Sequence, residues 1–274
     1  MFRLLTLALG MAGALATAAH AATPISHITD VGALAPDAMA AVDETVFDAA
    51  RFTARDGSSV PYRVLPPQRI EPGRRYPLVI QLHSSGGIGT DNRLQLDRMA
   101  KSWALPETRA RYPAFVLVPQ FAERSAHYGP PGPDQHATAA PVLAHALELA
   151  RDFAAHHPVD TARIYATGFS MGGSAAWLAP TLDDTLLAAI VPFSGIAPAD
   201  DSARTLRQLP VLIVHGDADD NNPITADHRF FLALQRAGNT RVQFRQYQGL
   251  AHQPPADIQP GRWWRDWLFA QRRK

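Results

Sequence analysis

The residues best suited to do chemistry lie in one short run, Gly168-Phe169-Ser170-Met171-Gly172-Gly173. The run has the form G-x-S-x-G, and its flanks match what that pattern requires. Arg163-Ile164-Tyr165-Ala166-Thr167 reads as a strand leading in, and Ser174-Ala175-Ala176-Trp177-Leu178 as a helix leading out. On such a turn a serine takes strained backbone angles and its hydroxyl projects clear of the sheet. The glycines on either side let strand and helix backbones approach closely. The chemistry to expect is nucleophilic attack by Ser170. The Met171 N–H, at the start of the helix, is expected to donate to a developing oxyanion with the help of the helix dipole.

A serine hydroxyl needs a base to take its proton, and the base needs a carboxylate to fix its tautomer and stabilise its charged form. Where a serine sits on a strand-to-helix turn, the acid and then the histidine follow it along the chain. Downstream, an apolar strand over 210–214 runs into His215-Gly216-Asp217-Ala218-Asp219-Asp220-Asn221-Asn222-Pro223. Any of the three aspartates there could serve as the acid; Asp219 is the choice that the family pattern below supports, and the other two can act as turn formers or a helix cap. Three histidines follow the serine. His215 ends the strand that presents the acid and is expected to order the turn. His228 falls in a helical pattern, as a surface or packing residue. His252, in Gly249-Leu250-Ala251-His252-Gln253-Pro254-Pro255 after the last strand, is the candidate base. A second oxyanion N–H should come from Leu82-His83-Ser84-Ser85-Gly86-Gly87-Ile88-Gly89. Successive small residues there let backbone donors converge; Ser85 is the first choice and Ser84 the second, with His83 bracing the loop.

These residues must be positioned by the elements between them. Short continuous apolar runs at 77–82, 115–118, 164–167, 189–193 and 210–214 have the character of buried strands, and 242–247 alternates like one more. Helical patterns at 92–103, 141–156, 171–179, 226–237 and 262–272 separate them. Two β-rich stretches, 46–53 and 60–65, come first, joined through Asp56-Gly57-Ser58 as a hairpin. The alternation implies a mostly parallel sheet of about eight strands covered on both faces. The hairpin ahead of it fits an α/β-hydrolase sheet better than a dinucleotide-binding one. Only residues 196–209 separate Ser194-Gly195 from Pro210, too few for a large lid, so an open cleft is expected. The loop 121–140, with Phe121 and Tyr128, is either one wall of that cleft or a mobile surface loop. Trp263, Trp264 and Trp267 sit at helical spacing and read as core packing.

The chain has 274 residues, no cysteine and a formal net charge of +1. One domain of ordinary size is expected, needing no disulfide, and the charge balance points to neither nucleic acid nor an acidic surface as partner. No H-E-x-x-H spacing or phosphate-binding glycine loop with lysine occurs, so neither a metal nor a cofactor is expected. Met1-Phe2-Arg3, the apolar run 4–16 and Ala19-His20-Ala21 form a signal-peptide pattern with cleavage after Ala21. Export to the periplasm or medium is therefore expected, with residues 22–43 as an N-terminal arm and 44–274 as the catalytic domain. No later stretch is long and apolar enough to span a bilayer.

With these residues in place, the chain resembles the α/β-hydrolase esterases known as feruloyl-esterase-like, polyhydroxybutyrate-depolymerase-like or "predicted peptidase". The matching pieces run in order. They are Tyr76-Pro77-Leu78-Val79-Ile80 with the loop from Leu82 to Asn92; Val118-Pro119-Gln120; Val159-Asp160-Thr161-Ala162-Arg163-Ile164-Tyr165 before the serine motif; His215-Gly216 with Asp219; His252; and the closing helix at Trp267. The likeness spans roughly residues 58–273. It implies Ser170 as nucleophile, Asp219 as acid and His252 as base, and hydrolysis of small-molecule or polymer-attached esters. The group's usual His-Gly is His83-Ser84 here. The rivals are a serine peptidase with the same machinery, an acyltransferase, and a non-catalytic ligand-binding relative of the fold.

Overall fold

Residues 24–273 are described by a computed structural model of the chain; the expected signal segment and its cleavage point lie outside the described residues. Among the described residues eleven strands form: β1 (Ile25–Ile28), β2 (Asp48–Thr53), β3 (Ser59–Leu65), β4 (Tyr76–Leu82), β5 (Phe115–Pro119), β6 (Ala126–Tyr128), β7 (Ala137–Ala139), β8 (Val159–Phe169), β9 (Ala189–Phe193), β10 (Val211–Gly216) and β11 (Val242–Tyr247). The helices are α1 (Arg98–Lys101), α2 (Pro106–Arg111), α3 (Pro141–His156), α4 (Met171–Leu182), α5 (Thr225–Arg236) and α6 (Arg262–Phe269). Nine strands make one sheet in the order β1-β11-β10-β9-β8-β4-β5-β3-β2. Pairing is parallel from β1 through to β5, and antiparallel for β5 with β3 and β3 with β2.

Every residue of β4, β5, β9 and β10 is buried, which is why these strands read as unbroken apolar runs. One face carries α3, α4 and α5 through Leu143, Trp177 and Phe230; the other carries α1 and α6 through Met99 and Trp264, with Trp103, just after α1, packed against Trp264. The chain leaves β4 toward β5 on one side of it, and later leaves β8 toward β9 on the other. The loops after β4 and β8 therefore part at neighbouring strand ends and open a crevice there, the place where open α/β sheets bind ligands. The connection from β9 to β10 holds one short 3-10 turn, Asp200–Arg204, and no lid.

Three expectations change. The sheet has nine strands because part of the expected arm joins it. Ile25 to Ile28 pair in parallel with Phe244 to Tyr247, Leu34 and Met39 are buried, and the Leu34 N–H donates to the Pro254 carbonyl at 2.8 Å. A four-residue edge strand carries too little periodicity to stand out from an alanine-rich stretch. The helix expected over 92–103 shrinks to Arg98–Lys101. Asn92 takes a left-handed φ of 56°, its N–H is held by Gln120 and its side chain by the Ala50 and Tyr62 carbonyls. Asp97 caps the short helix instead through the Ala100 N–H at 3.0 Å. The loop 121–140 folds back as the β6–β7 ribbon, with Ala126 and Ala137 buried.

The tryptophans near the C-terminus pack as expected, and they enclose a charge. Arg265 is fully buried and has no carboxylate partner among the described residues. Its guanidinium lies 4.6 Å from the Trp103 ring and 4.3 Å from that of Trp264. It donates to the Ile258 and Pro260 carbonyls at 3.1 and 2.8 Å and to Ser102 Oγ at 2.6 Å. Burial lowers its pKa to about 9. This fork ties α6 to the 256–260 segment that follows the loop bearing His252. Arg265→Met keeps the bulk and strands those carbonyls, so urea unfolding should show a loss of about 2 kcal/mol. Undiminished stability would mean that the buried cation contributes nothing net.

Candidate active site

Ser170 sits between β8 and α4 with φ 59° and ψ −121°, a conformation that costs a non-glycine residue about 1–3 kcal/mol. Its neighbours leave the turn no alternative. A Cβ on Gly172 would stand 2.1 Å from the Leu82 carbonyl oxygen, and one on Gly173 2.3 Å from that of Phe193. The Ser170 N–H donates to the Phe193 carbonyl at 2.9 Å, fixing the turn to β9. The serine hydroxyl is thus held at the crevice between the β4 and β8 ends.

The structure brings Ser170, His252 and Asp219 together. His252 Nε2 lies 2.8 Å from Ser170 Oγ, and His252 Nδ1 lies 2.7 Å from Asp219 Oδ2. The Phe169 ring packs on the imidazole at 4.9 Å between centroids. The loop carrying His252 crosses Gly216, where a Cβ would meet the Leu250 carbonyl oxygen at 2.0 Å, and Ala218 N–H donates to that carbonyl. Asp217 does not face the imidazole; its carboxylate holds the Gly249 N–H at 2.7 Å and Gln246, bracing the same loop. His228 bonds Gln246 and packs edge-on against Phe244, as a packing residue should.

Opposite the hydroxyl, the loop after β4 is set by His83. This ring is 1% exposed, donates from Nδ1 to the Ser84 carbonyl at 2.7 Å and accepts the Phe121 N–H on Nε2 at 3.1 Å. Burial lowers its pKa to about 4, keeping it neutral with one tautomer fixed by its partners. The Ser84 N–H is taken by Asp97 Oδ2 at 3.3 Å, while the N–H groups of Ser85 and Met171 have no partner among the described residues. Phe121 is buried beneath this loop and lines no cleft. Tyr128, half-buried, reaches the start of α4, its hydroxyl 3.1 Å from Ser174 Oγ.

The family profile of dienelactone hydrolases matches residues 115–257, a little over half of the chain. The chain belongs to the dienelactone hydrolase family. No curated protein matches it. Among solved structures it is similar to a thermostable esterase, with 28% identity and a TM-score of 0.74 over 84% of this chain and 64% of that one. A ferulic acid esterase from the anaerobic fungus Anaeromyces mucronatus shares the fold at 16% identity and a TM-score of 0.59, covering 82% of this chain and 90% of that one. A Mycobacterium tuberculosis puromycin-hydrolysing peptidase does so at 19% and 0.57, covering 75% and 36%. The chain thus spans just under two thirds of the esterase and about a third of the peptidase. The likeness to α/β-hydrolase esterases read from the sequence holds at the level of the group.

In this dienelactone hydrolase family member the candidate acid, Asp219, lies in a dense set of donors. The Asp219 side chain is fully buried, and that alone would raise its pKa. Hydrogen bonds from His215 and His252 and from the Asn222 N–H outweigh burial and hold the carboxyl well below the usual carboxylate range. Its Oδ1 accepts the Asn221 and Asn222 N–H groups at 3.1 and 2.8 Å. Behind it, His215 bonds Asp227 and Asp227 bonds Trp177. Asp227 escaped the sequence reading, yet a signal exists. Asp227, Phe230, Phe231 and Leu234 fall at i, i+3, i+4 and i+7, which places an acid on the buried face of α5.

The strain at residue 170 predicts opposite effects of two glycine exchanges. Ser170→Gly should raise unfolding stability by about 1 kcal/mol by relieving the positive φ. Gly172→Ala should lower it by about 3 kcal/mol or more, because the Leu82 carbonyl cannot yield. Denaturant midpoints of both variants read this directly; a Ser170→Gly protein less stable than the parent would contradict the strain.

Proposed function

We propose that the protein is a serine hydrolase that cleaves carboxylic esters through an acyl-enzyme intermediate. The observation that carries this reading is the continuous hydrogen-bonded series from Asp219 through His252 to Ser170 Oγ, with 2.7 and 2.8 Å links, at a strained strand-to-helix turn. Nδ1 faces a carboxylate and so carries the proton, which leaves Nε2 as an acceptor aimed at the hydroxyl.

In the proposed cycle His252 takes the Ser170 proton as Oγ attacks the ester carbonyl. The Met171 and Ser85 N–H groups receive the oxyanion; Ser84 is disfavoured because its N–H is already held by Asp97. His252 then returns the proton to the departing alcohol. Water, activated by the same imidazole, hydrolyses the acyl-enzyme and regenerates the serine. Asp219 stays ionised and stabilises the imidazolium. The short β9–β10 connection supports an open cleft, with Tyr128 of the β6–β7 ribbon at its rim, and an open cleft accommodates bulky or polymer-attached acyl groups. The preference for esters over amides rests on the similarity to the thermostable esterase. Export is proposed with it, on the signal-peptide pattern of residues 1–21.

Kinetics on short aryl esters, feruloyl esters and matched anilides test the reading. His252→Ala should lower kcat on a responsive ester by about four to six orders of magnitude with little change in KM. Asp219→Asn should cost about four orders, through loss of the correct tautomer. A His252→Ala enzyme that loses only apparent affinity would remove the base from His252. Anilides cleaved as fast as their esters would make the protein a peptidase instead.

A further inference from the structure

The proposed catalytic series uses Asp219 but leaves unexplained the buried groups behind it. His215 ends β10 with a fully buried side chain. Its Nδ1 lies 2.8 Å from Asp227 Oδ2, and its Nε2 lies 2.8 Å from the Asn222 carbonyl oxygen and 3.3 Å from Asp219 Oδ2. All three partners are oxygens without a proton of their own when the carboxyls are ionised. A neutral imidazole offers one donor and one acceptor, and here an acceptor would be wasted against an oxygen lone pair. His83 shows the contrast within the same molecule: one ring nitrogen faces a carbonyl and the other an N–H, the pattern of a neutral ring.

We infer that His215 is a positioning residue protonated at neutral pH: a buried imidazolium, held by Asp227, that keeps Asp219 ionised and aimed at His252. The inference rests on the serine hydrolase reading above and deepens it. Asp227 is itself fixed, since its Oδ1 accepts the Trp177 Nε1–H at 2.9 Å from α4 and its backbone lies in the first turn of α5, where the helix dipole favours an anion. The titratable groups that the structure sets against the His215 ring are Asp219 and Asp227, with His252 beyond Asp219 and Tyr128 near Asn222. Burial by itself would lower the pKa of His215; the hydrogen bonds and charges of Asp219 and Asp227 outweigh it and raise the value to about 9.

The arrangement solves a problem that a buried acid creates. An isolated carboxyl in this position would bind a proton, or would take one from His252 when the imidazolium forms. The His215 cation lowers the basicity of Asp219, so the proton accepted from Ser170 stays on His252 until the leaving group takes it. The series thus runs from Trp177 and Asp227 through His215 and Asp219 to His252 and Ser170, binding α4, α5 and the β10 turn to the base. Linkage gives the sign for stability. A histidine raised above its unfolded value of 6.5 stabilises fully below that pH, and its contribution is lost as pH rises through about 9.

Two measurements test this on the full chain. In ¹⁵N-histidine-labelled protein, the His215 ring signals, identified by their loss in His215→Gln, should both be of the protonated type from pH 6 to about 8.5. An unprotonated-type nitrogen on His215 at pH 7 overturns the inference. This arm needs no turnover, so it fails independently of ester hydrolysis, and a wild-type enzyme inert on every ester would sink the hydrolase reading alone. In the kinetic arm, His215→Gln should lower kcat by about 10- to 100-fold with KM within about twofold. The acid limb of its kcat/KM profile should move up by about one pH unit, because the base loses a nearby positive charge. A variant whose active fraction falls while the acid limb stays in place shows a merely structural histidine and overturns the role.

Discussion

The whole site depends on how closely two backbones pass at the ends of β4 and β8. Gly172 lies against the Leu82 carbonyl, and Gly168 lies against the same oxygen, where a Cβ would come to 2.5 Å. That approach leaves Ser170 the corner of a turn it would not adopt alone, and the surrounding fully buried strands hold it there. Placing the hydroxyl, seating Met171 at the head of α4 and bringing the loop after β4 alongside are consequences of one packing constraint. The strain is local, of the order of a kcal/mol or a few, and the sheet supplies it.

The second constraint is electrical. An ionised Asp219 inside the molecule needs its oxygens filled: the Asn221 and Asn222 N–H groups of its own turn meet Oδ1, and His252 from the loop after β11 and His215 from β10 meet Oδ2. The loop that returns His252 is closed from several sides. Gly216 lets it cross, Asp217 holds it at Gly249, and the N-terminal segment grips Pro254 through Leu34. His252, the proposed base, is therefore not carried by a free surface loop. It is clamped by the N-terminal segment and by the end of β10 with the turn that follows it.

Much of this is legible in the sequence alone. Continuous apolar runs give away β4, β5, β9 and β10, because strands buried on both faces have no polar side to alternate with. The serine turn declares itself through glycines at fixed offsets, and the order of strand ends points to the turn after β10 and the loop after β11, while the choice of Asp219 among three aspartates comes from the resemblance to esterases. Short-range signals failed where tertiary contacts override them. Ile25 to Ile28 become a strand only because β11 offers an edge, and the run from Asn92 to Asp97 stays out of a helix because Asn92 is tied to β2, β3 and Gln120. Asp227 was visible as an acid on an apolar helix face, but its meaning appears only when Trp177 and His215, distant in the chain, close around it.

The claim at the centre is that the Ser170 hydroxyl is activated by His252 in the folded enzyme. Its most direct measurement is mass-spectrometric localisation of the adduct formed by an aryl fluorophosphonate, with peptide fragmentation to separate Ser170 from Ser174 and Ser194. Ser170 should be modified stoichiometrically in native protein, and not at all in urea-unfolded protein or on the same timescale in His252→Ala. An adduct on another residue, or equal rates with and without the imidazole, would contradict it.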